Sequence, residues 1–193
     1  GFNLNLGLDP NSVNSNLYYD PEFLTNYEIG FNSKIEELNL NLAAVIFHSD
    51  RKDQQVLIST QVDLNDPNTF TFLTQNAAEG TNNGIELEMD FQLSESLDMF
   101  INFGLLKTEI KSWKSRPEIE GRAQAHAPEK SYAIGFNWYP SEQSSFSFDL
   151  VGKSSFYYSD SHDNKSKSYF LTNINYSYFH GEWTYSIWGR NIF

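Results

Sequence analysis

The chain has 193 residues, enough for one domain or one piece of a larger one, with 16% aromatics, 20% charged residues and no cysteine. The missing cysteine excludes a disulfide framework and a zinc–thiolate site. Lys and Arg total 13 against 25 Asp and Glu, a net charge of -12 that argues against a nucleic-acid partner.

The opening decapeptide, GFNLNLGLDP, has no basic n-region or apolar h-region, so any signal peptide is expected outside this segment. No run of about 18 apolar residues occurs, which excludes a helical membrane span. A β-barrel stays open, because its strands carry a much weaker signal.

Strands are then read in chain order from strict period-2 alternation. In NYEIGFNSK, Tyr27, Ile29 and Phe31 oppose Glu28, Gly30 and Asn32. In LNLNLAAVIF, Leu38, Leu40, Leu42, Ala44 and Ile46 lie on one side and Asn39 and Asn41 on the other. GIELEMDFQL sets Ile85, Leu87, Met89, Phe91 and Leu93 against Glu86, Glu88, Asp90 and Gln92. LDMFINFGLL repeats the pattern with Leu97, Met99, Ile101, Phe103 and Leu105, opposed by Asp98, Asn102 and Gly104. SYAIGFNWY and SFSFDLVGK carry Tyr132, Ile134, Phe136 and Trp138, then Phe146, Phe148 and Leu150. YFLTNINYSY and WTYSIWGRNIF close the series. The expectation is an all-β chain, an antiparallel up-and-down meander of about eight long strands. Helix signals are nearly absent, and GRAQAH is too short to stand alone.

The links alternate in length. Short, turn-rich links are expected at Ile35 to Glu37, Ser94 to Ser96, Pro140 to Gln143 and Phe179 to Glu182. Long polar links are expected from Ser49 to about Gln75, Thr108 to about Pro128 and Tyr157 to Ser168. Such sorting is what an outer-membrane barrel shows, with short periplasmic turns and long external loops. Aromatics gather at strand ends: Trp138, Tyr139, Tyr176, Tyr178, Phe179, Trp183 and Tyr185 by the short links, and Phe156, Tyr157 and Tyr158 by a long one. Two girdles around an apolar band have this pattern.

At DPEFLTNYEIGFNSKIEELNLNLAAVIFHSDRKDQQV, followed by NAAEGTNNGIELE, AHAPEKSYAIGFNWY, SSFYYSDSHDNKSKSYFLTNINYSY and WGRNIF, the sequence resembles the barrel of a TonB-dependent outer-membrane receptor. The resemblance covers nearly the whole chain in the family's order. It implies a transmembrane barrel of about 22 strands, plugged by an N-terminal domain, in the bacterial outer membrane. It also implies uptake of an iron-siderophore or similar scarce nutrient, driven by the TonB complex, so that lipid, plug, TonB complex and iron chelate are the expected partners. Residues 1–193 would be one partial barrel domain, with the plug, the N-terminal strands and the last strand lying elsewhere. The initial GFN resembles the tail of the family's GGFN.

The resemblance makes Glu86, Glu88, Asp90 and Gln92 wall residues facing the lumen, where water accepts carboxylates that a packed core would penalise. Read as catalytic acids, Glu86 and Glu88 lack a partner base or nucleophile. No G-x-S-x-G, P-loop or G-x-G-x-x-G occurs, so no enzyme activity and no cofactor are expected. The four histidines have no metal spacing, and the compact group Asp160, His162 and Asp163 offers too few oxygen ligands, so no metal is expected. Trp113, Arg116, Tyr157, Tyr158 and His162 are the candidates for ligand contact, since aromatic and cationic loop residues suit anionic, aromatic chelates. Girdle anchoring competes as the role of Tyr157 and Tyr158.

Two other architectures remain. One is a small closed eight-stranded outer-membrane barrel, disfavoured because Glu28, Glu86, Glu88, Asp90, Asp98 and Asp149 would face only Lys153 and a few other bases in a narrow interior. The other is a soluble β-sandwich binding carbohydrate through its aromatics.

Overall fold

The computed structural model describes residues 18–61, 65, 66, 68 and 70–193. Eight strands follow one another: β1 (Phe23–Ile35), β2 (Leu40–Gln61), β3 (Phe70–Ser94), β4 (Leu97–Trp113), β5 (Lys130–Ser141), β6 (Ser144–Lys153), β7 (Tyr169–His180) and β8 (Trp183–Gly189). They form one sheet in sequence order, an antiparallel meander as the alternating links predict. One parallel bridge, Ala125 to Tyr157, lies outside the strands.

Each short link falls where the turn residues place it. Between β1 and β2 a 3-10 turn, Glu36–Leu38, ends on Asn39 in the left-handed region at φ 45, a conformation asparagine tolerates. The Asn39 N–H donates to the Glu36 carbonyl at 3.1 Å. Gly181, at φ 59, turns β7 into β8 with no side chain to resist it.

The long link expected from Ser49 to Gln75 is corrected: β2 continues to Gln61 and β3 resumes at Phe70. Asp50, Arg51, Lys52, Asp53 and Gln54 alternate nothing apolar, so this part of the ladder is silent in the sequence. Most of the remaining link, and the GFN segment, lie outside the described residues. The expected second link shortens likewise, because β4 runs on to Trp113. The third persists, from the end of β6 at Lys153 to Tyr169. GRAQAH forms no helix.

Two compact units divide the chain. The first comprises Gly1–Asn26, Ser49–Asn82 and Thr108–Ala123. It holds an apolar cluster of Val56, Ala77, Ala78, Ile110, Trp113 and Ile119. Asn76 ties its segments together: its Oδ1 accepts from the Asp20 N–H at 2.6 Å, and its Nδ2 donates to the carbonyls of Asp20 at 2.8 Å and Asp53 at 2.7 Å. Gln55 adds a bond from Nε2 to the same Asp20 carbonyl at 3.0 Å.

The second unit comprises Tyr27–His48, Asn83–Lys107 and Gln124–Phe193. Its register sorts side chains into two faces. Met99, Phe136, Phe148 and Ile174 form one cross-strand row, and Leu97, Trp138, Phe146, Tyr176 and Ile187 form another. The opposite face carries the row Asp98, Asn137, Ser147 and Asn175, and beside it the pair Asp149 and Asn173. The apolar face is open to the surroundings: Ile187 is 73% exposed, Trp138 47% and Ile134 37%. A sheet folding in water would cover such a face. On the polar side Asn173 Nδ2 donates to Asp149 Oδ2 at 2.7 Å.

This arrangement removes both alternative architectures. Among the described residues there is one sheet, so no second sheet forms a sandwich, and β1 and β8 end the strand order with one neighbour each instead of closing on one another.

Gly135 is needed for close approach on the polar face. A Cβ there would lie 2.5 Å from the Phe100 ring and 2.6 Å from the Phe148 carbonyl oxygen. The ring can move but the carbonyl is fixed in the ladder. Gly135→Val is therefore expected to cost about 1–3 kcal/mol, as overpacking does. Urea unfolding of the bilayer-inserted protein checks this, and an unchanged midpoint would contradict it.

Candidate functional site

The polar face of the second unit gathers the acids of β3 with bases from other strands. Asp90 and Gln92 line a recess of about 320 Å³ together with Asp98, Asn41 and Lys34. Glu86 and Glu88 line a second, of about 340 Å³, with Asn102, Ser131 and Lys153. A third holds Asp149, Asn173, Trp188 and Arg190, and the Arg190 guanidinium lies 5.4 Å from the Trp188 ring centre. The first two recesses each set one cation with two acids, and the third sets one cation with one. Among the described residues Lys34 and Lys153 close no ion pair with them. Lys153 is already expected among these acids from the sequence; Lys34 does not stand out there, but counting parity from Gly30 would have put it on this face.

The candidates Tyr157, Tyr158 and His162 share the β6–β7 link. Tyr157 is its anchor: bridges join it to Ala125 and Lys165, and the Lys165 ammonium sits 4.2 Å from the ring centre. The His126 N–H donates to the Tyr157 carbonyl at 2.9 Å. Ser166 closes the base of the link, its Oγ accepting from the Phe156 N–H at 3.1 Å. Asp160 Oδ1 accepts from the Ala125 N–H at 3.1 Å, which draws on one carboxylate of the Asp160, His162, Asp163 group. His162 Nδ1 accepts from the Asn164 N–H at 3.3 Å. Tyr158 is half exposed, edge-on to Phe156 at 6.0 Å. It is the most available aromatic of the link.

Trp113 and Arg116 belong to the first unit. Trp113 is 7% exposed and sits in the apolar cluster, its indole N–H donating to Ser115 Oγ at 3.0 Å and its backbone N–H to Glu120 Oε1 at 3.0 Å. It holds its loop together and presents little to a ligand. Arg116 Nε meets Glu118 Oε1 at 2.9 Å. The Glu118 backbone N–H, and then Arg116, hold that carboxyl below its usual range.

Residues 2–192 match the family model described as TonB dependent receptor-like, beta-barrel. The chain belongs to the TonB-dependent receptor family. That family is one of outer-membrane transporters and receptors, not of enzymes. No curated protein matches the chain. Among solved structures, this receptor barrel resembles the siderophore receptor PiuA from Acinetobacter baumannii at 19% identity and TM-score 0.69, covering 86% of this chain and 24% of that one. It resembles the ferric yersiniabactin uptake receptor FyuA from Yersinia pestis at 16% identity and TM-score 0.70, covering 89% of this chain and 25% of that one. The copper transporter OprC aligns at 13% identity and TM-score 0.68, over 90% of this chain and 26% of that one. At these identities the likeness is one of fold, and the receptor barrel spans about a quarter of each of those proteins.

Proposed function

We propose that this chain is wall and loop scaffold of an outer-membrane receptor that takes up an iron chelate or a similar scarce nutrient, working with a plug domain and the TonB complex. The exposed apolar face of the second unit carries the reading. Lipid is the partner such a face suits, and water the one its acidic reverse suits. From Phe170 to Tyr178, both on the apolar face, is roughly 27 Å along the strand, or about 20 Å across a bilayer at the usual tilt. That is close to the height of a lipid-facing band.

On this reading Glu86, Glu88, Asp90 and Gln92 face the lumen, and the recesses they line with Lys34 and Lys153 are seats for side chains of the plug. Tyr158, His162 and Arg116 remain the loop groups offered to a ligand. Trp113 acts behind them by fixing the loop that carries Arg116, and Tyr157 does the same for the link that carries Tyr158 and His162. The cargo is a metal chelate by analogy with PiuA and FyuA; OprC, named for copper, makes cupric ion the comparison to run.

Uptake of radiolabelled iron as catecholate, hydroxamate and citrate complexes, with radiolabelled cupric ion alongside, tests this in cells with and without the receptor. At least one ferric complex is expected to enter only when both receptor and TonB are present. Uptake of copper alone would overturn the iron reading, and TonB-independent entry of all four would overturn active transport.

A further inference from the structure

We infer that Lys107 and Lys130 hold a phosphate of an outer-leaflet lipid at the long-link end of the apolar face. The inference rests on the proposal that this face meets lipid and that the long links are external. Leu105 pairs with Lys130 across β4 and β5, and Phe103 with Tyr132. Parity along β4 places Lys107 on the same face, one step beyond Leu105. The two lysines are then diagonal neighbours, about 7–8 Å apart at the backbone, a gap that four-carbon stems easily close over one phosphate.

Both lysines are exposed, and neither side chain has a partner among the described residues. The Lys130 backbone is fixed: its N–H donates to Ser154 Oγ at 3.0 Å and its carbonyl accepts from the Ser154 N–H at 2.9 Å. Next to the cations the apolar face continues through Tyr132, Ile134 and Phe170. Two ammonium groups ending an exposed apolar stripe match a lipid in outline, phosphate above and acyl chains below. A free phosphate would leave the stripe unused.

The other end of the sheet has the opposite character. Each of the four short turns carries a glutamate, Glu37, Glu95, Glu142 and Glu182, and none carries a lysine. Phosphate is therefore matched on one side of the bilayer only. Lys153, opposite Ser131, stands at the same level on the polar face and serves as an internal control.

The receptor carrying this chain, inserted into nanodiscs of phosphatidylcholine doped with diphosphorylated or dephosphorylated lipid A, provides the test, with retained lipid read by native mass spectrometry. The unaltered receptor is expected to retain the diphosphorylated form about thirtyfold better, given two interfacial lysines at roughly 1 kcal/mol each. Lys107→Gln with Lys130→Gln should abolish the preference, and Lys153→Gln should leave it intact. An undiminished preference in the double variant, equal loss in Lys153→Gln, or full displacement by inorganic phosphate would each overturn the lipid-phosphate site. A receptor that inserts but shows no preference overturns the site alone. One that fails to insert overturns the lipid-facing reading and the site with it.

Discussion

Phe148→Arg is expected to abolish membrane assembly of the receptor, while Glu88→Gln leaves it near normal. Phe148 stands mid-strand on the apolar face, stacked at 5.5 Å on Phe136 and paired across the sheet with Ile174. Arginine at a bilayer midplane costs roughly 2 to 4 kcal/mol. The lost ring contacts add to this, and together they consume much of the 5 to 15 kcal/mol that typically stabilises a folded protein. Glu88 lies on the reverse, in an open recess that Asn102, Ser131 and Lys153 also line, where an amide is tolerated. Heat-modifiable gel mobility after refolding into vesicles reports the folded fraction. Equal yields for the two variants would contradict the assigned faces.

Trp113→Ala is expected to loosen the first unit by about 3 kcal/mol, the lower end for removing a large aromatic from a packed cluster. The cluster is small, and the indole also holds Ser115. Trp113→Phe should retain most of the packing and lose only the hydrogen bond, about 1 kcal/mol. Hydrogen exchange of amides in 49–61 and 108–123 measures both, and protection unchanged in the alanine variant would show that Trp113 is not part of the unit's core.

The second unit was legible because its two faces differ in chemistry along most of each strand. Ile85 to Leu93 alternates without error and Leu97 to Leu105 breaks the pattern only at Phe100, and β3 and β4 contain both stretches whole. The turns were legible for a local reason: Glu36, Glu95 and Gly181 occupy links too short for anything but a reversal. The outer parts of β2 and β3 were not, since Asp50 to Gln55 present polar groups on both sides and a strand of that kind looks like a loop. What fixes them is Asn76, whose three bonds join segments far apart in sequence, and no local pattern announces such a residue. In the sequence Trp113 looks presented to a ligand, as an aromatic in a polar link does. Its burial depends on Val56 and Ala78, more than 30 residues away in the sequence, which a linear reading does not bring together.

The claim that the sheet lies between lipid and water is tested most directly on β6. The chain contains no cysteine, so single cysteines at 146 through 150 can be spin-labelled without removing native thiols from it. In bilayers, oxygen accessibility should be high at 146, 148 and 150 and low at 147 and 149, with a water-soluble nickel relaxer giving the inverse pattern. Accessibilities that do not alternate, or that alternate with the faces exchanged, would contradict the account.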